Sequence, residues 1–369
     1  MGAASVAGDL LELARYIAGR PEYPEAASLE ELTDAAILSL SSDPPCLRPS
    51  SSSGEPGGLV RVAAPYAVIV PDLHARASLL ADLLGSVSPI DPRSLIVDMI
   101  LDGRLALVCL GDILNSEGAA GAERWGSVAL RLGSSQGLNG LLGPEMDEEM
   151  GASLGALCLV MALKVRLGGR FHCLKGNHDN ISNSSRDGDL AFYKYALEGA
   201  MGAEWFRLRY GEALMRSLRR YERLLPLVAA GNSFCASHAE PAFPLSRVDL
   251  LEYGKRPEVV GALIWTGNGE AAENAVKESL DALLGSPGAE DRALWISGHR
   301  PVSGAYALRA GGRLVQIHDP NRRQVAWIDN RAGGASGVLS LHEVAQGGGA
   351  LTLLEVADPF HLDHSASRH

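Results

Sequence analysis

The sequence predicts an α/β (α+β) fold in which two mixed sheets lie face to face between layers of helices. Three observations carry this. Short apolar runs rich in β-branched residues alternate with longer stretches of helical periodicity. Helical stretches separate the early runs, which suits parallel strands. Gly231-Asn232 and Gly311-Gly312 separate later runs, and such pairs mark hairpins. A single doubly wound sheet would not need those hairpins.

The elements follow in order. Apolar residues at helical spacing over 9–19 and 29–40 predict a small helical preface. Ser41 to Gly58, with four consecutive serines among prolines, reads as a linker or surface loop. Residues 1–58 are therefore expected to form an N-terminal extension, 59–357 the main domain and 358–369 a disordered tail. Strands are predicted at Tyr66–Val70, Leu105–Leu110, Phe171–Leu174, Leu227–Ala230, Phe234–Ser237 and Ala293–Ser297. Further strands are predicted at Tyr306–Arg309, Leu314–Ile317, Gln324–Ile328, Val338–Leu341 and Leu351–Val356. Helices are predicted near 77–86, 145–167, 188–200, 203–223 and 271–284. The apolar run Leu154–Leu163 is too short to span a bilayer and reads as a buried core helix. The six arginines between 207 and 223 read as a solvated helix face.

Composition narrows the function. The 369 residues are 46% hydrophobic and 21% charged, enough for a substantial core and unlike a disordered chain. The formal net charge is −11, which disfavours gripping nucleic acid through phosphates or docking on an anionic membrane. Five scattered cysteines without paired spacing suggest free thiols in a reducing compartment. No charged leader precedes an apolar stretch, so a cytoplasmic protein is expected.

The chemistry sits at the strand ends. Tyr66–Val70 is followed by Pro71-Asp72-Leu73-His74, and Leu105–Leu110 by Gly111-Asp112. Phe171–Leu174 leads into Lys175-Gly176-Asn177-His178-Asp179. Phe234–Ser237 leads into His238, and Ala293–Ser297 into Gly298-His299. Sheet edges are where α/β proteins place their sites. Asp-x-His sets both side chains on one side of an extended segment. Asp and His without Cys suit borderline divalent ions such as Mn, Fe or Zn. One aspartate can bridge two such ions at roughly 3.5–4 Å separation. Asn adds a neutral oxygen ligand.

These motifs in this order resemble the calcineurin-like metallophosphoesterase superfamily, and within it the PPP-type serine/threonine protein phosphatases and their bacterial relatives. Ser233-Phe234-Cys235-Ala236-Ser237-His238 and Leu263-Ile264-Trp265-Thr266 strengthen that resemblance, which covers roughly residues 66–330. It implies a metallophosphoesterase-like β-sandwich of two mixed sheets flanked by helices. It also implies two divalent metal ions, one on Asp72, His74 and Asp112. The other would rest on Asp112, Asn177, His238 and His299. His178 would be the general acid. The implied reaction is direct attack of water on a phosphomonoester of a phosphoprotein or a small molecule. Alternatives of the same fold are a dinucleoside polyphosphate hydrolase, a cyclic nucleotide phosphodiesterase and a non-catalytic scaffold.

The chain departs from the family pattern after Asp112. Asn115 stands where the family has an aspartate that orients the catalytic histidine, and Ser116 where it has a phosphate-clamping arginine. Asp179 or Glu117 is expected to support His178 instead. Arg300, Arg322, Arg323 or Arg124 is expected to join Asn177 in binding substrate. Segment 116–170 is longer than the pattern needs and is expected to carry a lid. His318, which ends a strand, is expected to be a structural or rim residue.

Overall fold

Val68 and Val70 of the first long apolar run face one way, and Ala67 and Ile69 the other, as the period of two requires. Both faces are buried, which explains why the run is continuously apolar rather than alternating. The computed structural model describes residues 3–20, 22–134, 140–284, 293–331 and 339–358. The expected tail beyond Asp358 lies outside them.

The chain opens with α1 (Ala3–Ala18) and α2 (Ala26–Ser41), then β1 (Leu59–Arg61) and β2 (Tyr66–Val70). Next come α3 (Ala77–Leu84), α4 (Ile96–Leu101), β3 (Leu105–Cys109), α5 (Gly118–Ser134), α6 (Pro144–Leu167) and β4 (Phe171–Cys173). The long α7 (Glu198–Leu224) leads to the hairpin of β5 (Val228–Ala230) and β6 (Phe234–Ser237). Three short helices follow, α8 (Arg247–Leu251), α9 (Pro257–Ile264) and α10 (Ala275–Leu284). The remainder is β7 (Leu294–Ser297), β8 (Ala307–Arg309), β9 (Leu314–Gln316), β10 (Gln324–Asp329), β11 (Leu339–Glu343) and β12 (Thr352–Ala357).

These strands form two six-stranded mixed sheets, ordered β1-β5-β6-β7-β9-β8 and β12-β11-β10-β2-β3-β4. The β2–β3, β3–β4, β6–β7 and β7–β9 pairs are parallel, so these five site-bearing strands and β9 send their C-terminal ends to one edge. Ile69, Val108, Phe234, Ala236, Ile296 and Val315 fill the space between the sheets. Trp295 and Cys235 point outward, under α9 and α10. The other sheet's outer face lies under α1, α2, α3, α6 and α7. Each fully buried Leu, Ile or Phe there contributes roughly 1.5–3 kcal/mol.

Several sequence expectations need adjustment. β1 carries no strong strand signal in the sequence, yet it pairs with β5. Residues 188–197 are irregular rather than helical. Glu198 bends back to accept the N–H groups of Lys194, Tyr195 and Ala196, so the helix begins only there. Asn180 and Asn183 hold further backbone groups of that segment. Segment 116–170 is no simple lid, because α6 is a core helix. Among the described residues it is the one helix apolar and long enough to cross a bilayer, and 78% of its most apolar window is buried. Leu10 and Ala14 of α1 and Leu29 and Leu40 of α2 join the same hydrophobic cluster as Val68 and Val70. The helical preface thus packs as part of one core.

Candidate metal centre

The loops that leave the sheet edge are tied to one another. Beyond β2 the backbone keeps pairing with the loop beyond β3. Leu73, His74 and Ala75 donate N–H to the carbonyls of Gly111, Asp112 and Ile113 at 3.1, 2.6 and 2.9 Å. The Asp179 carboxylate accepts from the N–H groups of Gly176, Asp112 and Ile113 at 2.8–3.0 Å. Asp72 Oδ2 accepts from His299 N–H at 2.9 Å, and Asp112 Oδ1 from His178 N–H at 2.8 Å. Two glycines make room for these carboxylates. A Cβ on Gly298 would lie 1.8 Å from Asp72 Oδ1, and one on Gly176 would lie 2.2 Å from Asp112 Oδ1.

The backbone is strained where these side chains converge. His74, Asp112 and His299 have φ of 42°, 48° and 62°, the left-handed region that non-glycine residues avoid. Each costs on the order of 1–3 kcal/mol, and such strain collects at functional sites.

Asp72, His74, Asp112, Asn177 and His238 are all buried together. His238 Nδ1 lies 3.1 Å from the Leu110 carbonyl, so that nitrogen carries the proton and Nε2 presents a lone pair. Around Nε2 stand Asn177 Oδ1 at 2.9 Å, His299 Nδ1 at 3.2 Å and Asp112 Oδ2 at 3.5 Å. His74 repeats the pattern. Its Nδ1 faces the Asn115 carbonyl at 2.9 Å, and its Nε2 lies 3.5 Å from Asp112 Oδ2. Asp72 Oδ1 is buried with no hydrogen-bond partner, as is His299 Nε2. Acceptors thus converge on acceptors, an arrangement that calls for cations. Asp72, Asp112 and His238 form one group with potential ligand atoms within 4.8 Å of one another, and Asp72, His74 and His318 form a second.

His318 therefore is not a rim residue. It is fully buried within the cluster, because β9 lies beside β7 and ends at the same edge. Sequence reading did not take it for a ligand because it ends a short strand outside the Asp, Asn and His motifs. Glu117 was expected near His178. Instead its Oε2 lies 2.7 Å from His74 Nε2 and 2.8 Å from His318 Nε2, and Oε1 pairs with Lys194. Lys194 was not foreseen at all. It lies in the irregular segment before α7, and no local sequence signal marks it.

His178 stands beside the cluster, with its ring 5.1 Å from that of His74 and 4.2 Å from that of Phe192. Its Nδ1 is buried without a partner. Burial lowers its pKa to about 4. Asp179 does not support it, since that carboxylate is occupied by loop N–H groups. Burial and the nearby Asp112 push Asp179 up to about 6. Burial works against ionised Asp112, but His238, His178 and His74 together hold its pKa well below the usual carboxylate range.

Three of the four candidate arginines are engaged elsewhere. Arg124 donates to Ser116 Oγ and Glu149, Arg322 pairs with Asp319, and Arg323 binds Asp82 and Ser78. Arg300 is exposed and acts as a cationic neighbour of both His299 and Lys194.

No family model matches the chain, and no curated protein matches it. Solved structures do. A protein serine/threonine phosphatase from Saccharomyces cerevisiae, described as similar to human phosphatase PP5, aligns with 91% of this chain and 90% of its own. The TM-score is 0.52 and the identity 12%. A cold-active protein-tyrosine phosphatase of a psychrophilic Shewanella species aligns with 81% of this chain and 82% of its own, at TM-score 0.42 and 14% identity. The yeast structure shows the shared fold. The chain thus shares the two-sheet, helix-flanked fold of that serine/threonine phosphatase.

Proposed function

We propose that this chain is a metal-dependent phosphomonoester hydrolase, a PPP-like serine/threonine phosphatase acting on phosphoprotein. The observation that carries the reading is the buried set of convergent acceptors at the sheet edge, with His178 standing beside it. Two divalent ions, Mn, Fe or Zn, fit that set. Asp72, His74 and Asp112 would hold one, and Asp112, Asn177, His238 and His299 the other. Bound there, they would supply an acidified water and charge neutralisation for a phosphoryl group.

The protein's own groups supply the rest. Water adds to phosphorus as the bond to the leaving oxygen breaks. His178 gives that oxygen a proton from Nε2, since Nδ1 is sealed inside. Arg300, beside His299, and Lys194, beside Glu117, would supply the positive charge that Ser116 cannot. Phe192 holds the His178 ring in the absence of a carboxylate partner. The acidic net charge supports a reading without nucleic-acid or membrane partners. The five unpaired cysteines support a cytoplasmic location.

The test is a substrate panel with Mn²⁺-loaded protein: phosphoserine and phosphothreonine peptides, p-nitrophenyl phosphate, dinucleoside polyphosphates and cyclic nucleotides. Phosphopeptides are expected to turn over. Cleavage of nucleotides alone would move the assignment to the alternative hydrolases, and metal binding without any turnover would favour a scaffold.

A further inference from the structure

Neither Glu117 nor His318 reads as a metal ligand from the sequence, yet both side chains lie within the cluster. Their side chains are 5% and 0% exposed. Glu117 Oε2 stands between two imidazoles, 2.7 Å from His74 Nε2 and 2.8 Å from His318 Nε2. The proton of neutral His74 is committed to Nδ1 by the Asn115 carbonyl, so its Nε2 meets Glu117 as one lone pair meeting another. His318 adds to this in either tautomer. With its proton on Nδ1, Nε2 opposes Glu117. With its proton on Nε2, the unpartnered Nδ1 opposes Asp72 Oδ2 at 3.7 Å. His318 also offers a ligand atom within 4.8 Å of those of Asp72 and His74. A cation between these atoms resolves every one of the contacts.

We propose that Glu117 and His318 are ligands of the first metal, which would give it five protein ligands: Asp72, His74, Asp112, Glu117 and His318. The inference rests on the metal-centre reading above. It makes the two halves unequal. The first shell would carry three carboxylates and two imidazoles, and the second one shared carboxylate, one amide and two imidazoles. Greater ligand charge and number make the first ion the tighter and less exchangeable one. Open coordination positions then lie mainly on the second ion.

The experiment is calorimetric titration of chelator-stripped, full-length protein with Mn²⁺, with the ions retained after desalting counted by mass spectrometry. The unmodified chain should bind two ions with unequal affinities. Glu117→Gln and His318→Asn should each weaken the tighter event by at least about tenfold, as even outer-shell losses cost 10- to 100-fold, and leave the weaker one. Asn177→Ala should do the reverse. Thermal melts of the metal-free variants report whether they fold. If His318→Asn does not fold, the isosteric Glu117→Gln decides alone. Two Mn²⁺ bound by folded variants with unmodified affinities would overturn the proposal while leaving the metal centre intact. Failure of the unmodified chain to bind Mn²⁺ would instead overturn the metal centre itself.

Discussion

Two buried polar clusters share the loop Lys175–Asp179, and they solve the burial of charge in opposite ways. Below the loop, Lys175 Nζ lies 3.0 Å from Asp189 and 2.6 Å from the Asp179 carbonyl, while Glu222 accepts the Ile181 N–H. A cation, its counter-charges and their hydrogen bonds are all supplied by the protein. Above the loop, carboxylates, an amide oxygen and imidazole lone pairs face one another, and half-exposed Lys194 is paired with Glu117 alone. The lower cluster needs nothing further and reads as structure. The upper one leaves acceptors facing acceptors, and that difference marks it as the candidate site. Asp179 joins the two: it braces the loop bearing Asp112 and sits beside the Lys175 cluster.

The largest effect should come from the one residue common to both halves of the upper cluster. Asp112 Oδ2 lies 3.5 Å from both His74 and His238. Asp112→Asn should abolish turnover and weaken both Mn²⁺ binding events, as read by mass spectrometry and a phosphopeptide assay. Retention of two tightly bound ions would remove Asp112 from the bridging role. Replacing Lys175 by Met, in contrast, should lower the melting temperature and leave metal stoichiometry intact in the folded fraction, because the lower cluster holds no ion.

His178→Ala should come next. It should keep both ions and lose about 10²- to 10⁴-fold in turnover of alkyl phosphates. The loss should shrink for p-nitrophenyl phosphate, whose leaving group needs no proton. An equal loss for both would argue that His178 does not act as the acid.

How much of this was legible in the sequence follows from how each residue is encoded. Asp72, His74, Asp112, Asn177, His238 and His299 each follow a strongly apolar strand inside a short motif, and the structure gathers all six at one edge. The two hairpins were legible from Gly231-Asn232 and Gly311-Gly312, which fall between β5 and β6 and between β8 and β9, whereas the strand order of each sheet was not. Lys194 was not legible, nor were the places of Glu117 beside His74 and of His318 within the cluster, because nothing local distinguishes a buried functional Glu or Lys from a solvated one. Their positions are set by tertiary neighbours: β9 beside β7 for His318, and the cap formed by Glu198 for Lys194. That same cap explains why 188–197 is irregular although its residues suggest a helix. Arg322 and Arg323 follow a loop near the site, yet Asp319 and Asp82 claim them.

The missing phosphate clamp gives a smaller effect that sharpens the view of the open side. Arg300→Ala and Lys194→Ala should each reduce turnover by on the order of 10²-fold, as loss of a positioned charge-stabilising donor does. Metal content should stay unchanged for Arg300→Ala. Arg323→Ala, whose guanidinium is committed to Asp82, should stay within a few-fold of the unmodified chain. If all of these variants turn over normally, the substrate brings contacts of its own, and small phosphoesters become the better reading.

The smallest effect separates the clusters by pH. Burial, opposed by Lys175, raises Glu222 to about 8, so the folded state prefers its neutral form. A carboxyl raised in this way contributes stability that is full below its unfolded value near 4.5, and that stability is lost as pH rises through about 8. In the upper cluster burial acts with the opposite sign. It lowers His178 to about 4 and His318 to about 3. Their contribution in metal-free protein is present above about 6.5 and lost as pH falls through those values. Glu222→Gln keeps the acceptor for Ile181 N–H and removes the titration. Its melting temperature should lie close to that of the unmodified chain at pH 5 and exceed it clearly at pH 8. Saturating Mn²⁺ should raise the melting temperature of both proteins alike, because the ion acts only on the upper cluster. A parallel decline of the two melting curves from pH 5 to pH 8 would mean that Glu222 is already ionised in the fold, and that Lys175 outweighs its burial.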